Sequence, residues 1–410
     1  MESSTLTGPG EKRALGNAYY FIQRYWMPLG LLVFLTVPFW APARNAMKTN
    51  IYIFSLLPTL LLLTSASAMK SALQASSAFR WLALFLFTLM ISTLWAPSGE
   101  EQASLQQLFY TFIFIYGIGF HLRIDEPMLV KLLGVGIFAA TCGSAITFML
   151  LLNGHAEVTL DERLVGYGAL FNPLLSGNLY GVFLVALIAL AVTPIRMRGV
   201  YLIGAVIGGL LILAFVIGSG SRSPLVGLIA ATTLLLCRKG GLKALKIWIA
   251  FMLIISLIVA ALWQVLAERG LSLRPDIWRI VIELCLEHPW LGRGVNAPIT
   301  ISTAGFTWSN THNLLLTIWY FGGIPALFSW VALNASLVYQ LWRRRTVVST
   351  IALGLLIYGI GTTFFEGSGL PSRPTEFWYQ IWLPVGLGIW ALTHTPDMKK
   401  GRAHSEANSV

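Results

Sequence analysis

Basic residues that could grip an anion, and one histidine that could move a proton, gather around the stretch from Glu268 to Thr311. It is the one long polar interruption in a chain of membrane-length apolar runs. Arg269, Arg274, Arg279 and Arg293 lie within it, and His312 follows it. Arginine presents a planar fork that binds phosphate or carboxylate bidentately, so this loop is where a charged substrate would be held. A histidine, with an unperturbed pKa of about 6.5, can serve there as a general base. Arg222, in the turn Gly218-Ser-Gly-Ser-Arg222-Ser-Pro, lies at a helix start. An arginine near lipid is costly unless it faces protein or a polar cavity. Each has a plainer reading as well: Arg222 as a snorkelling helix anchor, His312 as a hydrogen-bonded helix-start residue.

Spacing separates the loop arginines. Pro275 is well placed as the first residue of a helix running to about Glu287. Asp276, Arg279, Glu283 and Glu287 fall on one polar stripe, with Ile277, Trp278, Ile280, Val281, Leu284 and Leu286 around the rest. This pattern predicts an interfacial helix lying on the membrane as a lid, apolar side down. Arg279 has Asp276 and Glu283 within helical reach, so a surface ion pair is expected for it. Arg274 lies outside that stripe and is the expected functional member. His288-Pro-Trp-Leu-Gly reads as a turn ending the helix, His155 has no supporting context, and Arg269 and Arg293 take no assignable role.

The elements that must position these residues are membrane helices. With 56% hydrophobic and 11% charged residues among 410, the chain is too apolar for a soluble globular protein. The runs are of helix-spanning length and lack the alternation of barrel strands. An all-α polytopic integral membrane protein is therefore expected, a single membrane domain over residues 1–410. Twelve spans are read at about 25–42, 49–66, 79–96, 105–122, 128–152, 174–193, 199–219, 222–237, 244–267, 313–342, 346–366 and 375–394. The loop at 268–311 is the long outer connection, and 395–410 reads as a disordered cytoplasmic tail. Sorting the connections to two sides places 19 of the 28 lysines and arginines on the side of both termini, which the positive-inside rule makes cytoplasmic. The net charge of +11 is thus a topology signal, and no nucleic-acid partner is implied. The outer basic residues are Lys48 and eight arginines. Of three cysteines only Cys285 lies in the outer loop, so no disulfide framework is expected.

Several of these residues also match a known pattern. The run Arg274-Pro-Asp-Ile-Trp278, then His288-Pro-Trp-Leu-Gly292-Arg-Gly294, then His312-Asn313 with Gly323 ten residues beyond the asparagine, resembles the signature region of bacterial O-antigen ligases and the related polymerases. Ser221-Arg222-Ser223 is similar to the Ser-Arg pair these proteins carry at an outer helix start. Gly166 with Asn172-Pro173, downstream of Arg163, looks like a third element. The resemblance covers about residues 160 to 335. It departs at Ala326, where the ligase pattern has Gly, Thr or Tyr, which keeps the polymerase as an alternative.

The resemblance implies a multispan, GT-C-like membrane glycosyltransferase of the bacterial inner membrane with a periplasmic site. It would move a polysaccharide from undecaprenyl diphosphate to lipid A-core, amid membrane lipid. The departing diphosphate must have its charge neutralised. Many glycosyltransferases use a divalent metal on an Asp-x-Asp pair for this, and the chain has no such pair, so neither metal nor cofactor is expected. Instead Arg222 and Arg274, with Arg163 as a weaker third, are expected to clamp the diphosphate while His312 deprotonates or orients the acceptor hydroxyl. Asn313 and Tyr320 are expected either to contact sugar or simply to pack. A transporter of anionic lipids is the non-enzymatic alternative. Transporters place charge near the bilayer midplane, often in paired halves, whereas these residues cluster at helix ends.

Overall fold

The structure is a computed structural model describing residues 17–63, 66–97, 99, 101–154, 163–195, 197–261, 273–303, 305–367 and 370–394. Residues 268–272 of the long loop, His155, Arg269 and the tail at 395–410 lie outside the described residues. The expected apolar runs are helical. Among the described residues, seven helices are long and apolar enough to cross a membrane: Ser77–Trp95, Glu101–His121, Glu126–Leu152, Pro173–Val192, Val200–Gly218, Leu314–Arg343 and Val347–Glu366. The other five expected spans coincide with shorter or interrupted helical stretches. The first is Met27–Thr36 between a π-turn and a 3-10 turn. The second starts early, at Arg44, and ends at Leu61. Ser223–Lys239 is one turn short of the longer spans, Gly241–Ala261 ends at the limit of the described residues, and the last is split into Phe377–Gln380 and Trp382–His394. Composition had also given no sign of the two-stranded hairpin Ile301–Thr303 with Phe306–Trp308.

Burial orders the helices. For Pro173–Val192, 72% of the apolar window is inside the protein, against 22% for Val200–Gly218, so the former is central and the latter offers most of its surface to lipid. Val347–Glu366 joins Pro173–Val192 at the centre and packs against Ser223–Lys239, Leu314–Arg343 and Trp382–His394. Buried apolar side chains from Met27 to Ala391 make one contiguous cluster.

One helix is broken, and the break is filled by the long loop. Within Leu314–Arg343, Gly323 takes φ 68° and ψ −168°, a conformation nearly reserved for glycine. Pro325 follows and has no N–H to give the Phe321 carbonyl. The turn after the loop helix supplies the missing partners. Arg293 N donates to Tyr320 O at 2.7 Å, Gly294 N to Phe321 O at 3.0 Å, and Ile324 N donates to Pro289 O at 2.8 Å. Gly292 has φ 66° and lies against the Phe321 carbonyl, where a Cβ would collide; a Cβ on Gly323 would collide with the Trp290 carbonyl.

The loop helix Arg274–Glu287 begins at the expected residue within one position. Its apolar face is divided, however. Ile277, Val281 and Cys285 are buried. The helix packs on Leu314–Arg343 and on the first hairpin strand. Ile282 and Leu286 remain exposed. A lid resting wholly on lipid is therefore replaced by a helix clamped to the protein along one side. Asp276, Arg279 and Glu283 are exposed as expected. The ion pair expected for Arg279 is not among those formed; the pairs of this region are Arg274 with Glu366 and Arg293 with Glu287. Water-exposed partners one helical turn apart gain little from pairing.

Gly323→Ala should lower the melting temperature of the purified protein and its activity together, because left-handed strain of about 1–2 kcal/mol adds to the collision. Gly204→Ala, at a helical position with open space around it, should change neither.

Candidate functional site

Residues far apart in sequence converge on a cavity of about 250 Å³ at one end of the helices, lined by Arg163, Arg222, Arg274, His312, Glu366 and Trp308 with Leu174, Gly220, Leu273 and Ile277. Arg222, Arg274 and Glu366 are delivered by helix ends, and Arg163 by a segment tied to one. Arg163 precedes Leu164, whose N–H bonds the Gly218 carbonyl at 2.9 Å, tying this segment to the end of Val200–Gly218. Arg222 caps the start of Ser223–Lys239, after a turn in which Gly220 has φ 63°. Arg274 opens the loop helix, and Glu366 closes Val347–Glu366. The helix Pro173–Val192 also starts here, capped by Asn172, whose side chain accepts from the N–H groups of Leu174 and Leu175. Helix N-termini carry positive partial charge, so they add to the field of the guanidiniums.

His312 is held in an unusual backbone conformation. Its φ is 50°, in the left-handed region seldom used by residues other than glycine. Local side chains hold the turn: Asn310 Oδ1 accepts from the His312 N–H at 2.9 Å, and Thr311 Oγ1 accepts from the Asn313 N–H at 3.2 Å. Thr311 and Thr317 share a 2.6 Å hydroxyl contact, and Thr317 Oγ1 also donates to the Gly367 carbonyl at 3.2 Å. The histidine is thereby tied to the residue that follows Glu366. Its ring meets Trp308 edge to face at 5.7 Å between centroids. Burial, and secondarily the nearby Arg274 charge, push its pKa below the ordinary 6.5. At neutral pH the imidazole is uncharged and can accept a proton.

Glu366 pairs with Arg274. Only 8% of its side chain is exposed, so the pair stands largely out of water. Three guanidiniums against one carboxylate leave the cavity two positive charges in excess. That balance suits an anion of two or more charges, and forked donors from three directions suit phosphoryl oxygens.

All four of the predicted residues Arg163, Arg222, Arg274 and His312 line the cavity; Asn313 and Tyr320 do not. Asn313 caps Leu314–Arg343, its side chain accepting from Leu316 N at 3.1 Å. Tyr320 donates its hydroxyl to the Pro298 carbonyl at 2.9 Å and is 4% exposed. Both help to hold the backbone that carries the site, which is the packing reading of the two. Arg293 stacks its charge over the Tyr320 ring at 5.8 Å and belongs to the same support. Sequence reasoning missed Glu366 and Trp308. A carboxylate ending an apolar run, Thr362-Thr-Phe-Phe-Glu366-Gly, was a readable signal for the first. For the second, the Gly305 turn within the alternating Ile301–Trp308 segment was a readable hairpin signal. Trp308 Nε1 is buried and has no acceptor among the described residues.

Comparison with known proteins identifies the family. Residues 207–331 match a family model described as O-Antigen ligase, a range that contains Arg222, Arg274 and His312. The chain is also 32% identical over 390 residues to a curated protein of Pseudomonas aeruginosa named O-antigen ligase, covering 93% of this chain and 94% of that one. The likeness reaches well beyond the matched range and takes in Arg163, Glu366 and every helix that frames the cavity, and on that extent the chain belongs to the O-antigen ligase family.

Proposed function

We propose that this protein is an inverting, metal-independent glycosyltransferase that moves O-antigen polysaccharide from undecaprenyl diphosphate to lipid A-core in lipopolysaccharide synthesis. The observation that carries the reading is the gathering of Arg163, Arg222 and Arg274 around the same cavity as His312. In this reading the three arginines receive the diphosphate of the lipid-linked donor. As the anomeric carbon–oxygen bond breaks, negative charge grows on the departing phosphate, and fixed cations in a partly buried site stabilise that charge without reorganising. Neutral His312 takes the proton of the acceptor hydroxyl as it attacks from the opposite side, which inverts the anomeric centre. Glu366 keeps Arg274 aimed into the cavity and prevents three like charges from repelling one another unopposed.

The same reading takes the twelve helical runs as twelve GT-C-like crossings of the inner membrane, with both termini in the cytoplasm and the cavity facing the periplasm. The lysine and arginine distribution supports it. An acceptor reached from the periplasm and a donor held by a membrane-embedded lipid tail would meet at these helix ends.

In purified enzyme, His312→Ala should reduce transfer by about 10²- to 10⁴-fold while leaving binding of the lipid-linked donor intact. Transfer at the wild-type rate would remove the base assignment. Arg274→Lys keeps the charge and loses the fork, so donor affinity should fall by roughly tenfold, the worth of one charge-assisted hydrogen bond. An unchanged affinity would argue against a bidentate clamp. The pH dependence carries a sign: because the His312 pKa is lowered, the base form persists through neutral pH, and the rate should decline only as pH falls below 6.5. An acid limb centred above that value would contradict the assignment. In a deletion strain, gel analysis should show loss of all capped lipid A-core; a single repeat still attached would mean polymerase.

A further inference from the structure

A second cationic patch stands at the same end of the helices and takes no part in the cavity described above. Arg44, Lys48 and Tyr52 follow one another at intervals of four along the helix Arg44–Ile51 and the π-turn continuing it, so they share one face. Arg44 places Nε and Nη2 on Glu376 Oε1 at 3.1 and 2.9 Å. Its guanidinium lies 4.3 Å from the centre of the Phe171 ring, and Phe171 is 51% exposed. Arg373, three residues before Glu376, is exposed and within electrostatic reach of Tyr52.

The connection carrying Glu376 is short of hydrogen-bond partners. Glu376 is fully buried, and its second oxygen, Oε2, has no donor among the described residues. Ser372 Oγ and Thr375 Oγ1 are buried and likewise without a partner among them. A buried polar atom left unmatched costs about 1–3 kcal/mol, so this connection is held in place by its packing and by the Arg44 pair rather than by its own side-chain hydrogen bonds. Arg44, Lys48 and Arg373 would take phosphate, and Phe171 offers a flat apolar face to a sugar ring.

One segment joins this patch to the cavity. Arg163 lies at the cavity end, and Phe171 sits under Arg44 at the other. Between them Ala169 N donates to the Ala41 carbonyl at 3.1 Å. Gly168, with φ 60°, presses so close to that carbonyl that a Cβ would collide with it. The turn Gly168–Leu170 packs on the helix Arg44–Ile51.

We propose that the face formed by Arg44, Lys48, Arg373 and Phe171, with the buried Glu376 holding Arg44 from beneath, is the subsite for the acceptor, and that it binds a phosphorylated oligosaccharide. The proposal rests on the glycosyl-transfer reading of the cavity, which already assigns the other arginines to the donor diphosphate. A two-substrate transferase needs a separate anchor for its second substrate, and an anchor built from cations discriminates for charged sugars over neutral ones.

The test uses the full-length protein with Lys48→Gln and Arg373→Gln combined, which leaves the buried Arg44–Glu376 pair intact. In transfer assays the KM for phosphorylated lipid A-core should rise roughly tenfold or more, with kcat and donor KM within about twofold of wild type. The double variant and wild type should differ far less on enzymatically dephosphorylated acceptor. An unchanged acceptor KM, or an equal rise in donor KM, overturns the subsite while leaving the transfer reading in place. Binding of free phosphorylated core oligosaccharide to His312→Ala protein, measured by equilibrium dialysis, is independent of catalysis. Weakening there by the two added substitutions supports the subsite even if no transfer is seen in wild type, the result that would instead sink the transfer reading. Equal binding with and without them overturns it, as does full displacement of the oligosaccharide by phosphatidylglycerol vesicles, which would assign the patch to bulk anionic lipid.

Discussion

The hydrogen bonds between the Pro289–Gly294 turn and the broken helix at Gly323 are the constraint on which the site depends. A helix interrupted in an apolar surrounding leaves carbonyls and N–H groups that water cannot reach, and each unsatisfied group costs several kcal/mol. Here Tyr320 and Phe321 have lost their usual acceptor role toward Ile324 and Pro325, and the turn replaces it with Arg293 and Gly294. The turn in its own right would be an irregular loop with no fixed place. Each element is thus stable only with the other. Because the turn directly follows the helix Arg274–Glu287, anchoring it fixes the Glu287 end of that helix, and burial of Ile277, Val281 and Cys285 along it brings Arg274 at the other end to Glu366.

Electrostatics then decides what this geometry is good for. A cluster of three guanidiniums would raise the energy of the unliganded protein if it stood alone. Glu366 relieves part of that repulsion and leaves enough positive charge for a dianion. The same field acts on His312 in the useful direction. A neighbouring cation disfavours the imidazolium, as burial also does, so the ring stays neutral and basic at the pH where the site would operate. The left-handed backbone at His312 is strain that the flanking Asn310 and Thr311 hydrogen bonds hold in place.

What could be read from the sequence was what is local. Apolar run lengths gave the helices, and Pro275 gave the start of the loop helix. Arg222, Arg274 and His312 stood out by their residue type at the ends of apolar helices, although a helix anchor for Arg222 and a helix-start hydrogen bond for His312 were the plainer readings. What was hidden depends on contacts between distant segments. Arg274 had no helical partner in sequence, and its carboxylate turned out to lie ninety-two residues away at Glu366. Arg279 had two sequence neighbours of opposite charge and pairs with neither, since solvent competes for all three. Tyr320 and Asn313 could be read by type as sugar contacts or as packing residues, and only the fold shows the Tyr320 hydroxyl donating to the Pro298 carbonyl and Asn313 Oδ1 accepting from the Leu316 N–H.

The connection from Gly367 to Glu376 ties these threads together. Glu366 and Glu376 stand at its two ends, both buried, and each holds one guanidinium, Arg274 in the cavity and Arg44 in the second patch. A buried ion pair is poor value for stability alone, because the cost of desolvating both charges roughly cancels their attraction. Such pairs are better understood as fixing the direction of a cation that must later meet an anion. Two of them at the ends of one ten-residue connection would set the separation between the two cationic groups. On the proposed reading a transferase has the same requirement: a leaving group and an acceptor must be held at a constant spacing. The backbone link from Thr317 to Gly367 supplies the third point of that frame, since it registers the helix behind His312 against the start of the connection. In this view the arginines bind, and the glutamates measure the distance between what is bound.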